Sequence, residues 1–459
     1  MRDGRKQRNR EVVERPRFGS ALAFSVKAWL TVLILTTCSL SADAATTLVS
    51  ANHSSTGGGN RSSGLDWFSI SADGSVIVFQ SQADNLVASD SNGRIQDVFV
   101  RNVRIGVSTL VSVPYTGSNG ANGESRLGAI SADGNVVAFM SEASNLVAGD
   151  NNGHMDIFVR NLSTGVTELA SRAVTGTSGA NSASWTPSLS ADGKIVAWYS
   201  SASNLVSSDA NGIASDIFVR NMTTGVTTLA SVPVGGSAGA NASSYNPSLS
   251  GDGTILAFES LANNLVSGDS NNNSDIFLRN LSTGITKLVT VPAFGSAGAN
   301  GSSSYPRLSA DGNVVAFAST AANLVTGDKN GPLGDVFVRN LSTNVNTLAS
   351  VAATGTAGAN SSSAYCSLNA DGSIVAWYSG ATNLTASDPN GATTDIFARN
   401  LSTGTTTLVS APTFGATGAN GQSSNPTLSS NGTLVAFQSS ASNLAADNNG
   451  GFADVFIAS

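Results

Sequence analysis

One phrase returns seven times along this chain: a Ser-Leu-Ser-like stretch, then Ala-Asp-Gly, then a short apolar run. The Asp-Gly turn falls at Asp73, Asp133, Asp192, Asp252, Asp311 and Asp371, and Asn431-Gly432 takes its place in the last copy. Successive spacings are 60, 59, 60, 59, 60 and 60 residues. A period this regular implies a quasi-symmetric array, in which one unit dictates the architecture.

The fourth copy shows what the unit is. Pro247-Ser248-Leu249-Ser250 reads as a short strand, and Asp252-Gly253 supplies the positive φ of a tight hairpin turn. Ile255 to Phe258 is an apolar run too short for a helix and bounded by turn residues, hence a buried strand. After a polar loop, Asp275 to Asn280 forms a third strand; Ser282-Thr283-Gly284 turns the chain into a fourth, Ile285 to Val289. A Gly- and Asn-rich loop, residues 295–300, leads to the next copy. No segment has helical period. Four antiparallel strands per unit predict an all-β fold, a β-propeller of seven blades. The last copy stops after its third strand, Asp454 to Ile457, and the missing strand stands at the other end, Thr46 to Ser50. An N-terminal strand completing the last blade closes the ring and removes its open edges.

From about residue 46 to the end, the phrases "LSADGxxVAFxS" (Leu189 to Ser200) and "DIFVRNLSTG" (Asp275 to Gly284) resemble the WD40-like, TolB-type propeller repeat of bacterial exported proteins. The resemblance implies a propeller fold. It implies little about function, because propellers host binding, scaffolding and catalysis alike.

Residues 1–44 stand apart. Seven Arg/Lys residues between Arg2 and Arg17 precede an apolar stretch, Ala28 to Leu40, and then Ala42-Asp43-Ala44, a small-x-small cleavage pattern. A signal peptide and an exported protein, periplasmic or extracellular, are expected; an uncleaved signal anchor, the alternative, would tie the protein to a membrane. Cleavage after Ala44 removes 8 of the 23 basic and 4 of the 30 acidic residues, leaving 15 against 26 and a net charge of −11. That balance excludes nucleic acid, whose affinity rests on basic phosphate contacts. Cys366 would be the only remaining cysteine, so no intramolecular disulfide is expected, and a monomer is.

In a four-stranded meander the first-to-second and third-to-fourth connections share one face; here both are minimal turns. The second-to-third and blade-to-blade connections share the other face, and both are about fifteen residues long. The long-loop face is therefore the expected binding face. Gly-Ala-Asn recurs in the blade-to-blade loops at Asn122, Asn181, Asn241, Asn300, Asn360 and Asn420. Aromatic residues follow at Trp185, Tyr245, Tyr305 and Tyr365, just before the innermost strand, with Arg126 and Asn425 breaking the series. Two readings fit: stacking groups around the channel mouth, or rings wedged between blades with Asn-capped turns.

Each second-to-third loop carries an Asp-x-Asn…Asp pattern. Its members are Asp90/Asn92/Asp97, Asp150/Asn152/Asp156, Asp209/Asn211/Asp216, Asp269/Asn271/Asp275, Asp328/Asn330/Asp335, Asp388/Asn390/Asp395 and Asp447/Asn449/Asp454. Oxygen ligands alternating in a tight turn suit Ca²⁺. Against it, each loop has two carboxylates, no bidentate Glu, and an outer spacing of six residues in blades 2 and 4 but seven elsewhere. The other reading is an Asx turn at the first Asp and a strand cap at the second. An Arg ends the third strand in six copies (Arg101, Arg160, Arg220, Arg279, Arg339, Arg399; Ala458 in the last), and a structural ion pair with the Asp four residues earlier is expected.

Catalysis on a symmetric scaffold normally breaks the repeat with a local cluster of acid, base or nucleophile. None is visible in the sequence. The only histidines are His53 and His154, in different blades, and Glu124, Glu142 and Glu259 have no evident partner. The expected function is thus non-enzymatic binding of a protein or glycan through the long-loop face, with Ca²⁺ as a possible cofactor. The alternatives are a carbohydrate-active enzyme, lyase or glycoside hydrolase, needing only two carboxylates, and a purely structural envelope protein.

Overall fold

The structure is a computed structural model that describes residues 46–459 apart from 67–68, 177, 295–297, 413–417 and 446–450. Seven four-stranded antiparallel sheets are present, and in the first six each is a meander in which neighbours in the chain are neighbours in the sheet. In blade 4 the strands are Ser244–Leu249, Ile255–Ser260, Asp275–Asn280 and Thr286–Leu288. Blade 7 is built from Ser423–Leu428, Val435–Ser439 and Asp454–Ala458, with Thr47–Leu48 as its outer strand. Thr47 pairs with Ile457 and Leu48 with Phe456, so the expected closure is present. The segment 1–44 lies outside the described residues.

The innermost strands begin earlier than the apolar pattern suggests, at Ser244 rather than Pro247 in blade 4. A bulge between Tyr245 and Ser248 shifts the register, and pairing resumes beyond it. The aromatic residues therefore lie within these strands rather than before them. They also occupy two different positions: Trp185 and Tyr245 pair with Tyr199 and Glu259 of the second strand, whereas Tyr305 and Tyr365 sit inside the bulge.

Each blade carries a stacked ring pair between its second and third strands, such as Phe258 and Phe277 at 5.9 Å between centroids. The core is divided into seven apolar clusters, one at each blade-to-blade interface. The cluster joining blades 7 and 1 contains Val49 of the N-terminal segment with Val455 and Ile457. Sheets stacked face to face in this way bury both faces, which is why their central strands read as continuous apolar runs.

At the tight-turn end of the channel the seven blades are tied by a closed ring of backbone hydrogen bonds. Ala72 donates to Ala132, Ala132 to Ala191, Ala191 to Gly251, Gly251 to Ala310, Ala310 to Ala370, Ala370 to Ser430 and Ser430 back to Ala72, at 2.8–3.0 Å. This ring gives the small residue before each Asp-Gly its role. It surrounds a cavity of about 160 Å³ lined by an aliphatic side chain from each blade, Ile70 and Ile130 in blades 1 and 2 and leucines from Leu189 to Leu428 in the rest.

The expected Asp–Arg ion pairs are absent. Arg279 donates instead to Thr286 Oγ1 at 2.8 Å, across to the fourth strand, and Arg101, Arg160, Arg220, Arg339 and Arg399 make the same bond seven residues on. Residues four apart on one strand share a face, but at a rise of about 3.3 Å per residue they stand roughly 13 Å apart. Distance forbids the pair.

Candidate functional site

The scaffolding positions repeat in all seven blades; the wall of the channel near the long-loop face does not. One bulge residue in each of six blades adopts positive φ without being glycine: Leu127, Thr186, Asn246, Tyr305, Tyr365 and Asn425, at 49–56°. Left-handed backbone is unfavourable for such side chains, above all for a β-branched Thr. Two of these bulge amides are held by a side chain of the preceding blade: Leu127 N donates to Gln80 Oε1 (3.0 Å) and Tyr305 N to Glu259 Oε2 (2.9 Å). Among the described residues only Ser55, Asn272 and Asn344 share this backbone elsewhere, each at an isolated loop position, so six such residues at one register set this ring of the wall apart.

Chemistry varies around that ring. Tyr305 and Tyr365 stack at 4.1 Å with their hydroxyls 2.9 Å apart, and Tyr378 stacks on Tyr365 at 5.3 Å. Tyr245 meets Tyr199 edge to face at 5.2 Å. Trp185 instead packs against the core cluster between blades 2 and 3. The structure therefore brings Tyr305 and Tyr365 together, places Tyr245 in a separate aromatic pair and uses Trp185 as a wedge.

Blade 1 breaks the symmetry outright. Ser63 pairs with Ser81 as Ser125 pairs with Ser141, yet eight residues separate Ser63 from Ser71 where six separate Ser125 from Ser131. This two-residue insertion brings Asp66 to the channel. Burial pushes its carboxyl up to about 7 against the opposing attraction of Arg126 and Arg307. Arg307 stands where the other blades have Ala or a small hydroxyl residue (Ser69, Ala129, Ser188, Ser248, Ser367, Thr427). It is 3% exposed, donates to the Pro306 carbonyl at 2.6 Å, and is held below the usual guanidinium range, at about 10, by its burial. Burial likewise raises Glu259. On the rim Arg126 pairs with Glu124 (2.9 Å) and Glu142 (3.6 Å).

Four ionisable groups from four blades, Asp66, Arg126, Glu259 and Arg307, thus act on one another across one channel. Each is solitary within its own repeat. The insertion before Ser69 and the lone Arg307 were the available signals.

The acidic loops form a clip of one design in blades 1 to 5. In blade 3, Asn211 Nδ2 donates to Asp216 Oδ2 (2.7 Å) and to the Ala240 carbonyl (2.8 Å), while Ser231 Oγ donates to Asp216 Oδ1 (2.6 Å). The second Asp of each blade, from Asp97 through Asp156, Asp216, Asp275 and Asp335 to Asp395, is wholly buried. In blade 7, Ser50 of the N-terminal segment donates to Asp454 at 2.7 Å; Asp447 and Asn449 lie outside the described residues. Burial, with the neighbouring first Asp adding repulsion, pushes Asp156, Asp216, Asp275, Asp335 and Asp395 up to about 6. Asp90 is raised to about 6 by the same two causes. Among the described residues no three His, Cys, Asp or Glu side chains gather into a metal-binding group.

The Asn of Gly-Ala-Asn faces the neighbouring second-to-third loop rather than the channel. Asn181 N donates to Asn204 Oδ1 (2.9 Å), Asn181 Nδ2 to Ser203 Oγ (3.0 Å), and Ser203 N returns to Asn181 Oδ1 (3.0 Å).

No protein-family model matches this sequence, and no curated protein matches it. Solved structures do match in fold. Oligogalacturonate lyase from Vibrio parahaemolyticus aligns with a TM-score of 0.54 at 12% identity, over 90% of this chain and 96% of that one. A prolyl endopeptidase aligns at 0.50 and 12% identity, over 89% of this chain and 50% of that one. TolB from Acinetobacter baumannii aligns at 0.38 and 14% identity, over 84% and 81%. Likenesses this distant extend to architecture alone: the chain is a seven-bladed propeller.

Proposed function

We propose that this protein is exported, is not an enzyme, and binds a glycan across the mouth of its channel on the long-loop face. The observation that carries this reading is the confinement of asymmetry. Ring pairs and Ser pairs are alike from blade to blade, whereas the bulge register near the long loops carries Leu, Thr, Asn, Tyr, Tyr and Asn, the Thr and the first Asn buried, beside Asp66 and Arg126. Tyrosine faces, amides, a carboxylate and an arginine are the groups that recognise a hydroxyl-rich ligand. Exposed apolar side chains at the tips of the blade-to-blade loops, Tyr115, Val174, Val234 and Phe294, border the same face and suit a protein partner as the second ligand class.

The test is a binding screen of the chain starting at Ala45 against glycans and envelope proteins, repeated with Arg126→Ala and Tyr365→Ala. Binding of a glycan that weakens at least tenfold in either variant supports the reading. Binding that both variants leave intact places the ligand elsewhere. One observation favours the carbohydrate-active alternative: a carboxyl with a pKa of about 7 is suited to act as a general acid at neutral pH. Glycan turnover that Asp66→Asn abolishes would establish it.

A further inference from the structure

We propose that the second-to-third-strand loops of blades 1, 3, 5 and 6 each bind a calcium ion, and that those of blades 2 and 4 do not. The inference rests on which loop oxygens already have a partner, and it stands apart from the ligand site at the channel mouth.

In every described blade the amide nitrogen of the loop Asn is committed, donating to the Ala carbonyl of the blade-to-blade loop. The amide oxygen therefore faces the other way, and its surroundings depend on loop length. In blades 2 and 4 the two Asp positions are six apart in sequence. There the following backbone closes onto the amide oxygen: His154 N donates to Asn152 Oδ1 (3.0 Å) and Asn273 N to Asn271 Oδ1 (2.8 Å). With a spacing of seven the backbone runs wide. Asn92, Asn211, Asn330 and Asn390 then keep a buried Oδ1 with no hydrogen-bond partner.

Carboxylate oxygens are left over beside Asn92, Asn211 and Asn390, and beside Asn330 the first Asp, Asp328, accepts only a long bond from Asn330 N (3.4 Å). Asp90 is 8% exposed with Oδ1 unpartnered, and Asp209 Oδ1 is buried and unpartnered as well. Blade 6 is the most open, with both oxygens of Asp388 and Oδ2 of the fully buried Asp395 lacking a partner. Blade 4 retains one such oxygen, on Asp269, but its amide oxygen is taken.

Buried oxygens without donors are costly, and repetition in the blades with one loop length argues for a common occupant. Two carboxylates with an amide oxygen make an all-oxygen, doubly negative set. That chemistry selects a hard divalent cation of flexible coordination, with water completing the shell on the open side of the loop.

Calorimetric titration with calcium of the chelator-stripped chain starting at Ala45 tests this. Asp209→Asn and Asp388→Asn should each lower the number of bound ions by one, since Asn keeps the turn but loses the charge. Asp150→Asn and Asp269→Asn should leave the number unchanged. Inserting one Ala after His154, which lengthens the blade 2 loop to the seven-residue spacing, should add one site. Melting in chelator identifies any variant that fails to fold, and the insertion is a gain that misfolding cannot mimic. No bound calcium in the parent, equal losses from blades 2 and 4, or no gain on insertion would each overturn the proposal.

Discussion

Asp66 shows what a single residue can do against the symmetry of an array. Its carboxyl has a pKa of about 7 in the folded chain, against 3.8 as its ordinary value. A folded-state pKa above the unfolded one means that the native protein binds the proton more tightly. Its contribution to stability is then full below pH 4 and is lost as pH rises from 4 to 7. Asp66→Asn removes that loss. The variant should match the parent at about pH 2.5, where Asp66 is protonated in both states, and exceed it by about 2 kcal/mol at pH 8, allowing for channel water. Urea unfolding at the two pH values measures it; a pH-independent difference would mean that the side chain's shape, not its charge, is what matters. The same residue marks a limit of sequence reading. The period of the Asp-Gly turns is undisturbed by the insertion, because blade 1 absorbs its two extra residues upstream of Ser69. Only superposing Ser63 on Ser125 exposes them. Arg279 and Asp275 illustrate the converse error, in which a shared strand face suggested a contact that the rise of the strand rules out.

Among the structural elements, the blade-to-blade loops owe their Gly-Ala-Asn phrase to three separate constraints. The Ala carbonyl receives the loop Asn, and the final Asn caps the neighbouring turn. The Gly lies against the clip itself: a Cβ on Gly239 would sit 2.2 Å from Asn211 Nδ2 and 2.7 Å from Asp216 Oδ2. Gly239→Ala should therefore force the clip apart and destabilise the protein by about 1–3 kcal/mol. Gly451→Ala, where a Cβ meets nothing within 4 Å, should be neutral. Equal urea midpoints for the two variants would mean that the clip yields freely. The phrase was plain in the sequence, but its partners were not, because Asn211 and Ala240 are 29 residues apart in different loops. Strand identity was legible for a different reason. Phe258 and Phe277 fall in apolar runs bounded by Asp-Gly and Ser-Thr-Gly turns, and turn chemistry of that kind permits few alternatives. Tyr245 and Tyr305 look equivalent only until they are counted from the turn: they stand seven and six residues before Asp252 and Asp311, and the bulge turns that one-residue offset into two different positions.

At the scale of the whole molecule, closure decides how the ring holds together. Seven interface cores and seven backbone bonds around the channel give every blade two neighbours, so no blade is terminal as it would be in an open solenoid. Blade 7 depends on the far end of the chain for this. Val49 N donates to the Val455 carbonyl (2.7 Å), and Ser50 Oγ accepts from Val455 N (3.0 Å) while donating to Asp454. Removing residues 45–51 would leave Asp454–Ala458 as a bare edge strand and uncover part of the core between blades 7 and 1. Ser50→Ala is the milder lesion, since it removes one hydroxyl from a buried clip and should cost about 1–3 kcal/mol. The deletion should cost more, lowering the melting temperature by several degrees or causing association through the exposed edge. Because the ring shares one network, the parent should melt in a single transition, whereas the truncated chain should lose blade 7 before the rest. Calorimetry and light scattering on the parent, Ser50→Ala and the deletion would separate these cases. A deletion mutant as stable and monodisperse as the parent would mean that the seven interfaces hold without the clasp.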